Sequence, residues 1–185
     1  SVLGIVSYQR GELEKARQQL AESLAIWRTV GDPRGLVFTM LYMGMSTLAL
    51  KDYQASRSIL QESNQIAEVN LDRWAHALGL DLLGMAALEQ GQVEEALVYF
   101  KKSITLSKGI GDQLNSTQTT IHLGQACAAM RSNDEARRLY VEAFTTAQAA
   151  KWTPIVLNAL IAFTEMADVM SAETKLAVAL SVLAH

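Results

Sequence analysis

Residues 83–100 have the sequence LGMAALEQGQVEEALVYF, and the prediction of the fold starts from this stretch. Small residues stand at Gly84 and Ala96, and the large apolar residue Phe100 follows one helical turn after the second of them. Between the two halves lies Gly91, in the polar surroundings typical of a tight turn. A small side chain allows two helices to approach closely, and a large one fills the groove beside it. The stretch therefore predicts a hairpin of two helices.

The same pattern recurs every 40 residues without an insertion. The positions equivalent to Gly84 hold Gly4, Gly44 and Gly124. The positions equivalent to Ala96 hold the small residues Ala16, Ser56 and Ala136. The positions equivalent to Phe100 hold the large residues Leu20, Leu60 and Tyr140. Such self-similarity indicates internal structural repeats. We predict one solenoid over residues 1–185, with repeats at about 1–31 (partial), 32–71, 72–111, 112–151 and 152–185.

Each repeat is predicted to contain a first and a second helix. Asp32, Asp72 and Asp112 share one position before the first helices, where a carboxylate accepts hydrogen bonds from the free amides of the first turn. Pro33 then occupies the first helical position, where proline loses no hydrogen bond. The predicted first helices span 33–50, 73–90, 113–130 and 154–169, and the second ones span 52–70, 92–109, 133–150 and 172–184, after a partial copy at 1–9 and 12–29.

The order Leu-Gly, a small residue three positions later, and then Ala-x3-Phe resembles the tetratricopeptide signature. Leu83-Gly84, Ala87, Ala96 and Phe100 carry it best. The resemblance implies an all-α protein, a right-handed α-solenoid of about five helical hairpins, whose first helices line a concave binding wall. The repeats are longer than usual for the family, and in this they resemble tracts of large bacterial transcriptional regulators and signalling ATPases.

Composition narrows the class of partner. The chain is 50 % hydrophobic, carries a net charge of −3 and has almost no Lys or Arg on the predicted inner wall. Nucleic acid would require such cations in the groove, so we expect no nucleic-acid binding through this segment. The longest apolar stretch, 176–184, is far shorter than the roughly 20 residues of a membrane span, so no membrane association is expected. Family members that clamp a terminal carboxylate use cations on this wall, which makes a carboxylate clamp unexpected here.

The single cysteine and the first residues bear on location and context. Cys127 cannot form an internal disulfide, so a cytoplasmic protein is expected. The helix-like run that follows Ser1 at once leads us to expect a fragment of a longer protein.

No pattern of catalytic or metal-binding residues emerges. His76, His122 and His185 fall in different repeats, without the spacing of a zinc site. Cys127 occupies a small-residue position inside a hairpin, which predicts an inert thiol. The glycines in 109–111 lie where other copies have a connector, rather than after a strand as in a phosphate-binding loop. We therefore predict a non-enzyme without cofactor or metal.

The register places a defined set of side chains on the predicted concave wall. We expect the partner-binding residues to be Phe38, Leu41, Met45, Leu48, Trp74, Leu78, Asp81, Met85, Leu88, Gln118, Ile121, His122, Gln125, Asn158, Glu165 and Asp168, with Ile161 beside them. Many are apolar although hairpin packing does not require it, and an apolar concave patch is typical of a binding site. The alternative is that neighbouring first helices pack more deeply at these positions.

Three functions remain open on the sequence alone. The first is an interaction scaffold or sensor segment of a bacterial regulator that binds a protein segment or peptide. This partner would be amphipathic, with apolar anchors and basic residues that match the slightly acidic groove. The second is a small-molecule inducer sensor with a pocket around Phe38, Met45, Trp74 and Met85. The third is a structural spacer. We also expect self-association through the last helix, at 174–184, because solenoid ends need polar caps.

Overall fold

The structure, a computed structural model, describes residues 1–168, and this part of the chain consists of α-helices joined by short turns. The predicted all-α repeat fold is confirmed. The helices are α1 (Val2–Gln9), α2 (Leu13–Val30), α3 (Pro33–Ala49), α4 (Tyr53–Val69), α5 (Arg73–Glu89), α6 (Val93–Gly109), α7 (Gln113–Ala129), α8 (Asn133–Ala149) and α9 (Thr153–Asp168). The predicted helix at 172–184, with its self-association face, lies outside the described residues.

Every turn contains a residue in the left-handed backbone conformation, and these residues recur every 20 positions. Four are glycines, for which this conformation carries no steric penalty. The other four are larger residues that do incur one. The left-handed residues are Gly11, Gly31, Gly91 and Gly111, and Lys51, Leu71, Arg131 and Lys151. Each helix from α3 to α8 is 17 residues long, so a helix and its three-residue turn complete the 20-residue step.

Aspartate side chains cap the first helices as predicted. The carboxylate of Asp32 accepts from the backbone N–H of Arg34, at 3.0 Å. Asp72 and Asp112 accept from the third residue of their helices, each at 3.0 Å. The bonds satisfy amides that have no partner within the helix. Asp52 caps α4 in the same way, at 3.2 Å, which the sequence analysis did not anticipate.

We expect the substitution Asp112→Ala to lower the free energy of unfolding by about 1 kcal/mol, because it frees an amide at the start of α7. Urea unfolding followed by circular dichroism measures this loss. The matched control is Ser132→Ala, since Ser132 stands at the start of α8 without a capping hydrogen bond from its side chain. Equal effects of the two substitutions would contradict the capping role of Asp112.

The chain divides into two compact units, residues 1–119 and 120–185, of which the second is described to residue 168. The prediction of one continuous solenoid over 1–185 therefore stays a prediction. Within the first unit, α3 packs on α2 and α4, and α5 packs on α4 and α6. The first helix α3 also contacts the first helices α1 and α5 directly. They form one layer of this unit, and the second helices form the other.

Each hairpin of the first unit closes at a glycine that faces a large side chain. A Cβ atom at Gly4, Gly44 or Gly84 would lie 2.7, 2.4 or 2.4 Å from Leu20, Leu60 or Phe100, respectively. These distances are far below van der Waals contact, so only glycine permits the observed approach. The predicted role of the small residues is thus confirmed, and Ala16, Ser56 and Ala96 are fully buried at the second small position.

The second unit repeats this arrangement at its own hairpin. A Cβ atom at Gly124 would lie 2.5 Å from Cε1 of Tyr140. Tyr140 is buried in a core cluster with Ala136, Ile155 and Phe163. Burial raises the pKa of the Tyr140 hydroxyl well above its ordinary value. The side chain is therefore a neutral core residue.

Candidate partner-binding surface

The first helices of unit 1 are apolar around most of their circumference. Along α3 the only charged residue is Arg34, and along α5 the charged residues are Arg73, Asp81 and Glu89. A helix that is apolar on all sides is normally covered on all sides. The second helices cover one side of α3 and α5. Apolar side chains on the opposite side remain accessible.

Five of these side chains form what we name the inner surface: Phe38, Met45, Trp74, Leu78 and Met85. Phe38 is 39 % and Trp74 43 % exposed, which is high for aromatic side chains. Met45, Leu78 and Met85 are half-buried and pack against the core cluster that contains Val37 and Leu82. The surface thus combines exposed aromatic rings with an apolar floor fixed by the core. Leu48 and Leu88 are half-buried at the ends of the same two helices.

Two predicted binding residues of unit 1 are buried instead. Leu41 is 1 % exposed and belongs to the core cluster with Leu60 and Leu82. Asp81 is 3 % exposed. Neither can contact a partner without rearrangement of the core, so their assignment to an open surface is corrected. At positions 41 and 81 the side chains are buried by deeper packing of the first helices, which was the alternative to an open binding surface. Gln118, the remaining predicted residue of this unit, is half-buried.

In unit 2 the predicted residues also divide into buried and accessible ones. Ile121 and His122 are buried, which corrects their assignment to an open wall. Gln125 is half-buried. On α9, Asn158, Ile161 and Glu165 are exposed, while the side chain of Asp168 lies outside the described part.

The sequence analysis missed two aromatic residues beside Phe38. The rings of Phe38 and Tyr42 meet edge to face with centroids 5.1 Å apart, and those of Tyr8 and Tyr42 meet in the same way at 6.2 Å. Burial, and then the neighbouring Tyr42, raises the pKa of the Tyr8 hydroxyl. Position 8 is equivalent to Leu48 and Leu88 in the 40-residue register. The 40-residue register could therefore have placed Tyr8 on the predicted concave wall, together with Leu48 and Leu88.

The second helices form the opposite layer of unit 1, and charged side chains form ion pairs between them. Arg28 on α2 pairs with Glu62 on α4 at 3.2 Å, and Arg57 on α4 pairs with Glu95 on α6. These pairs are at least partly exposed, so each contributes little to stability. A cavity of about 710 Å³ lies between α2 and α4, above Met43 and Thr47 of α3.

Two kinds of feature were not found among the described residues, namely a cluster of metal-binding side chains and a membrane-spanning helix. Over residues 1–168, no group of three or more His, Cys, Asp or Glu side chains is placed to hold a metal ion. None of the helices in this range combines the length and the apolar character needed to cross a membrane. Cys127 is half-buried rather than fully buried, and it packs against the core cluster of unit 2.

Comparison with protein-family models identifies the type of helical repeat. Two family models of the tetratricopeptide repeat match the chain, one at residues 75–149 and the other at residues 1–30. Together they cover more than half of its length. No curated protein sequence matches the chain significantly.

Solved structures share the fold. Aspartyl phosphate phosphatase F from Bacillus subtilis aligns over 97 % of this chain with a TM-score of 0.80 and 15 % identity. The chain spans only 46 % of the length of that protein. BtubC (BKLC) from P. vanneervenii aligns over the whole chain and 78 % of its own length, with a TM-score of 0.75 and 16 % identity. A putative kinesin light chain with TPR-like repeats from Podosopora anserina aligns over 98 % of this chain and 90 % of its own length, with a TM-score of 0.75 and 15 % identity. At these identities the similarity concerns the fold alone.

Proposed function

Because this chain belongs to the tetratricopeptide-repeat family, whose members are generally protein-interaction scaffolds, we propose that it binds a protein segment on the inner surface of unit 1. The observation that carries the proposal is the exposure of Phe38 and Trp74 above a floor of half-buried apolar side chains. Exposed aromatic residues anchored on a rigid apolar floor are typical of the residues that dominate binding energy in protein interfaces. The fold is typically a non-catalytic scaffold, and we propose no catalytic activity for it.

The chemistry of the surface defines the partner. The inner surface carries no charge of its own, so its affinity comes from buried apolar anchors rather than from ion pairs. Ion pairs at the rim are screened by salt and contribute little. We therefore propose an amphipathic segment that lays its apolar side chains against Phe38, Trp74 and Met85, with an affinity that depends weakly on salt. In unit 2, the exposed Glu165 favours basic residues in whatever contacts that face.

We expect Phe38→Asp to weaken binding of the partner at least about tenfold, because it places a charge at a desolvated apolar contact. The partner is first identified in cells by photocrosslinking from benzoylphenylalanine at position 38. Its affinity for the purified variants is then measured by fluorescence anisotropy. The matched control is Val98→Asp, since Val98 is 51 % exposed on the opposite layer. If Val98→Asp abolishes binding and Phe38→Asp does not, with both variants folded, the inner surface is not the site.

A small-molecule pocket around Phe38, Met45, Trp74 and Met85 stays a prediction. Unit 1 has cavities of about 710 and 520 Å³, but both are lined by other residues. The spacer function also stays a prediction, and the absence of any protein crosslinked from position 38 would favour it.

We further propose that the chain is an interaction or sensor segment of a larger, cytoplasmic bacterial regulatory protein. What supports it is the fold shared with a Bacillus subtilis phosphatase of which this chain covers 46 %. The single cysteine of the sequence, Cys127, forms no disulfide, which is compatible with a reducing compartment. Determining the full reading frame that encodes this segment tests the proposal, because flanking domains without regulatory motifs would contradict it.

A further inference from the structure

The turn between α4 and α5 holds a leucine that neither folding nor packing explains. Leu71 adopts the left-handed conformation, with a φ of 57°, and its side chain is 84 % exposed. The equivalent turns after α2 and α6 have Gly31 and Gly111 at this position. A residue with a side chain is strained in this conformation, whereas glycine is not. An exposed leucine gains nothing from the core in return, and strained residues that persist are concentrated at functional sites.

Leu71 lines a cavity of about 520 Å³ at the edge of unit 1. We name this cavity the edge pocket. Its walls come from the start of α3, the end of α4 and the start of α5. They consist of Pro33, Arg34, Val37, Ala67, Asn70, Leu71, Asp72 and Arg73. The inner-surface residues Phe38, Trp74 and Met85 do not line it.

Two arginines from neighbouring first helices converge on the edge pocket. Arg34 and Arg73 are both exposed. Within the part of the chain that the structure describes, neither guanidinium group takes part in an ion pair or a side-chain hydrogen bond. The one carboxylate in the walls, that of Asp72, already accepts from the backbone N–H of Ala75 at 3.0 Å. The pocket therefore presents two guanidinium forks whose natural complement is a carboxylate.

We propose that the edge pocket is a second docking site, which takes a protein segment carrying an acidic side chain next to an apolar one. The acidic side chain lies between Arg34 and Arg73, and the apolar one packs on Leu71. Charge complementarity selects the acidic group. The exposed Leu71 selects a protein segment over a free anion, because an inorganic anion gains nothing from an apolar wall. The site has its own lining residues and, unlike the uncharged inner surface, selects an acidic segment.

A peptide in which Glu and Leu alternate, acetylated at its N-terminus, amidated at its C-terminus and labelled with fluorescein, serves as the probe. Its affinity is measured by fluorescence anisotropy. We expect Leu71→Gly to weaken binding about tenfold while the urea midpoint of the protein rises, since the strain is relieved. The matched control is Lys51→Gly, which relieves the same strain at φ 61° in another turn of unit 1. It is expected to raise the midpoint and leave binding unchanged.

The charge component is tested with the double variant Arg34→Gln, Arg73→Gln. This variant is expected to bind the probe about tenfold more weakly and to lose the salt dependence of binding. A peptide with Gln in place of Glu is expected to bind the parent protein as weakly as the double variant binds the probe. Full affinity of Leu71→Gly or of the double variant would overturn the proposal. Equal affinity of the parent protein for this probe and for a peptide in which Glu and Ser alternate would also overturn it, because the site would then be an anion site only.

Phe38→Ala separates this proposal from the proposed function. It removes an inner-surface anchor without adding a charge one helical turn from Arg34, so it is expected to leave binding of the acidic probe unchanged. If Phe38→Ala abolishes binding of the probe while the arginine variant does not, the probe occupies the inner surface. The edge pocket would then be refuted and the inner surface supported.

Discussion

Replacing Phe100 by Ala is expected to lower the free energy of unfolding by about 4 kcal/mol, the largest effect of any substitution considered. Phe100 is fully buried, and its ring provides the atoms nearest to Gly84 on the facing helix. Truncation removes the apolar area of the ring and leaves a cavity that the surrounding structure closes only in part.

Urea unfolding monitored by circular dichroism measures this loss. The control is Val98→Ala on the same helix, because Val98 is half exposed and its truncation leaves no cavity. This control is expected to change the free energy of unfolding by less than about 1 kcal/mol. A loss of similar size for both variants would show that the hairpin does not depend on the contact between Phe100 and Gly84.

Gly84→Ala is expected to lower the free energy of unfolding by about 2 kcal/mol, although alanine is the better helix former. The new Cβ atom would lie 2.4 Å from Cε1 of Phe100. A buried aromatic ring has no free space into which it can move, so α5 and α6 must separate. The loss of packing outweighs the gain of about 1 kcal/mol that alanine brings to a helix interior.

Gly109→Ala is the matched control, because a Cβ atom at Gly109 meets nothing within 4 Å. This substitution is expected to be neutral or slightly stabilising. The double variant Gly84→Ala, Phe100→Ala tests whether the two residues act through one contact. It should cost less than the sum of the single losses, since the added methyl group occupies part of the cavity. Simple additivity would contradict the direct contact.

The repeat register and the helices could be predicted from the sequence because each copy shows the same small and large residues at fixed positions. Gly44 and Leu60, for example, are related in the same way as Gly84 and Phe100, and both pairs are in contact. Hairpin packing depends on these few residues, so their spacing determines the fold. The caps Asp32, Asp72 and Asp112 were predictable for the same reason, since they share one position of the repeat. Asp52 was missed because its equivalent positions 12, 92 and 132 hold other residues.

The binding surface was predicted only in part because α3 and α5 are apolar around most of their circumference. An amphipathic helix shows in its sequence which side faces the core, and these two helices do not. Phe38 and Leu41 are equally apolar and only three positions apart, yet Phe38 is accessible and Leu41 is in the core. Only the packing of α3 between its neighbours decides which of them a partner can reach.

The left-handed turn at Leu71 was not predictable because leucine gives no signal for that conformation. Glycine at the equivalent positions 31 and 111 does give such a signal. The edge pocket likewise requires the end of α4 to lie beside the starts of α3 and α5. Arg34 and Arg73 are far apart in sequence, and only the stacking of hairpins brings them to one cavity.

The left-handed turn residues, recurring every 20 positions, also bear on how such a gene can change in length. Recombination between two equivalent turns joins backbones of the same conformation, so the junction itself introduces no strain. An exchange of one helix would bring two first helices into consecutive positions and place an apolar helix in the polar layer. An exchange of two helices preserves the alternation. Whole hairpins of 40 residues are therefore the smallest pieces that this coding sequence can gain or lose while each remaining helix keeps its layer.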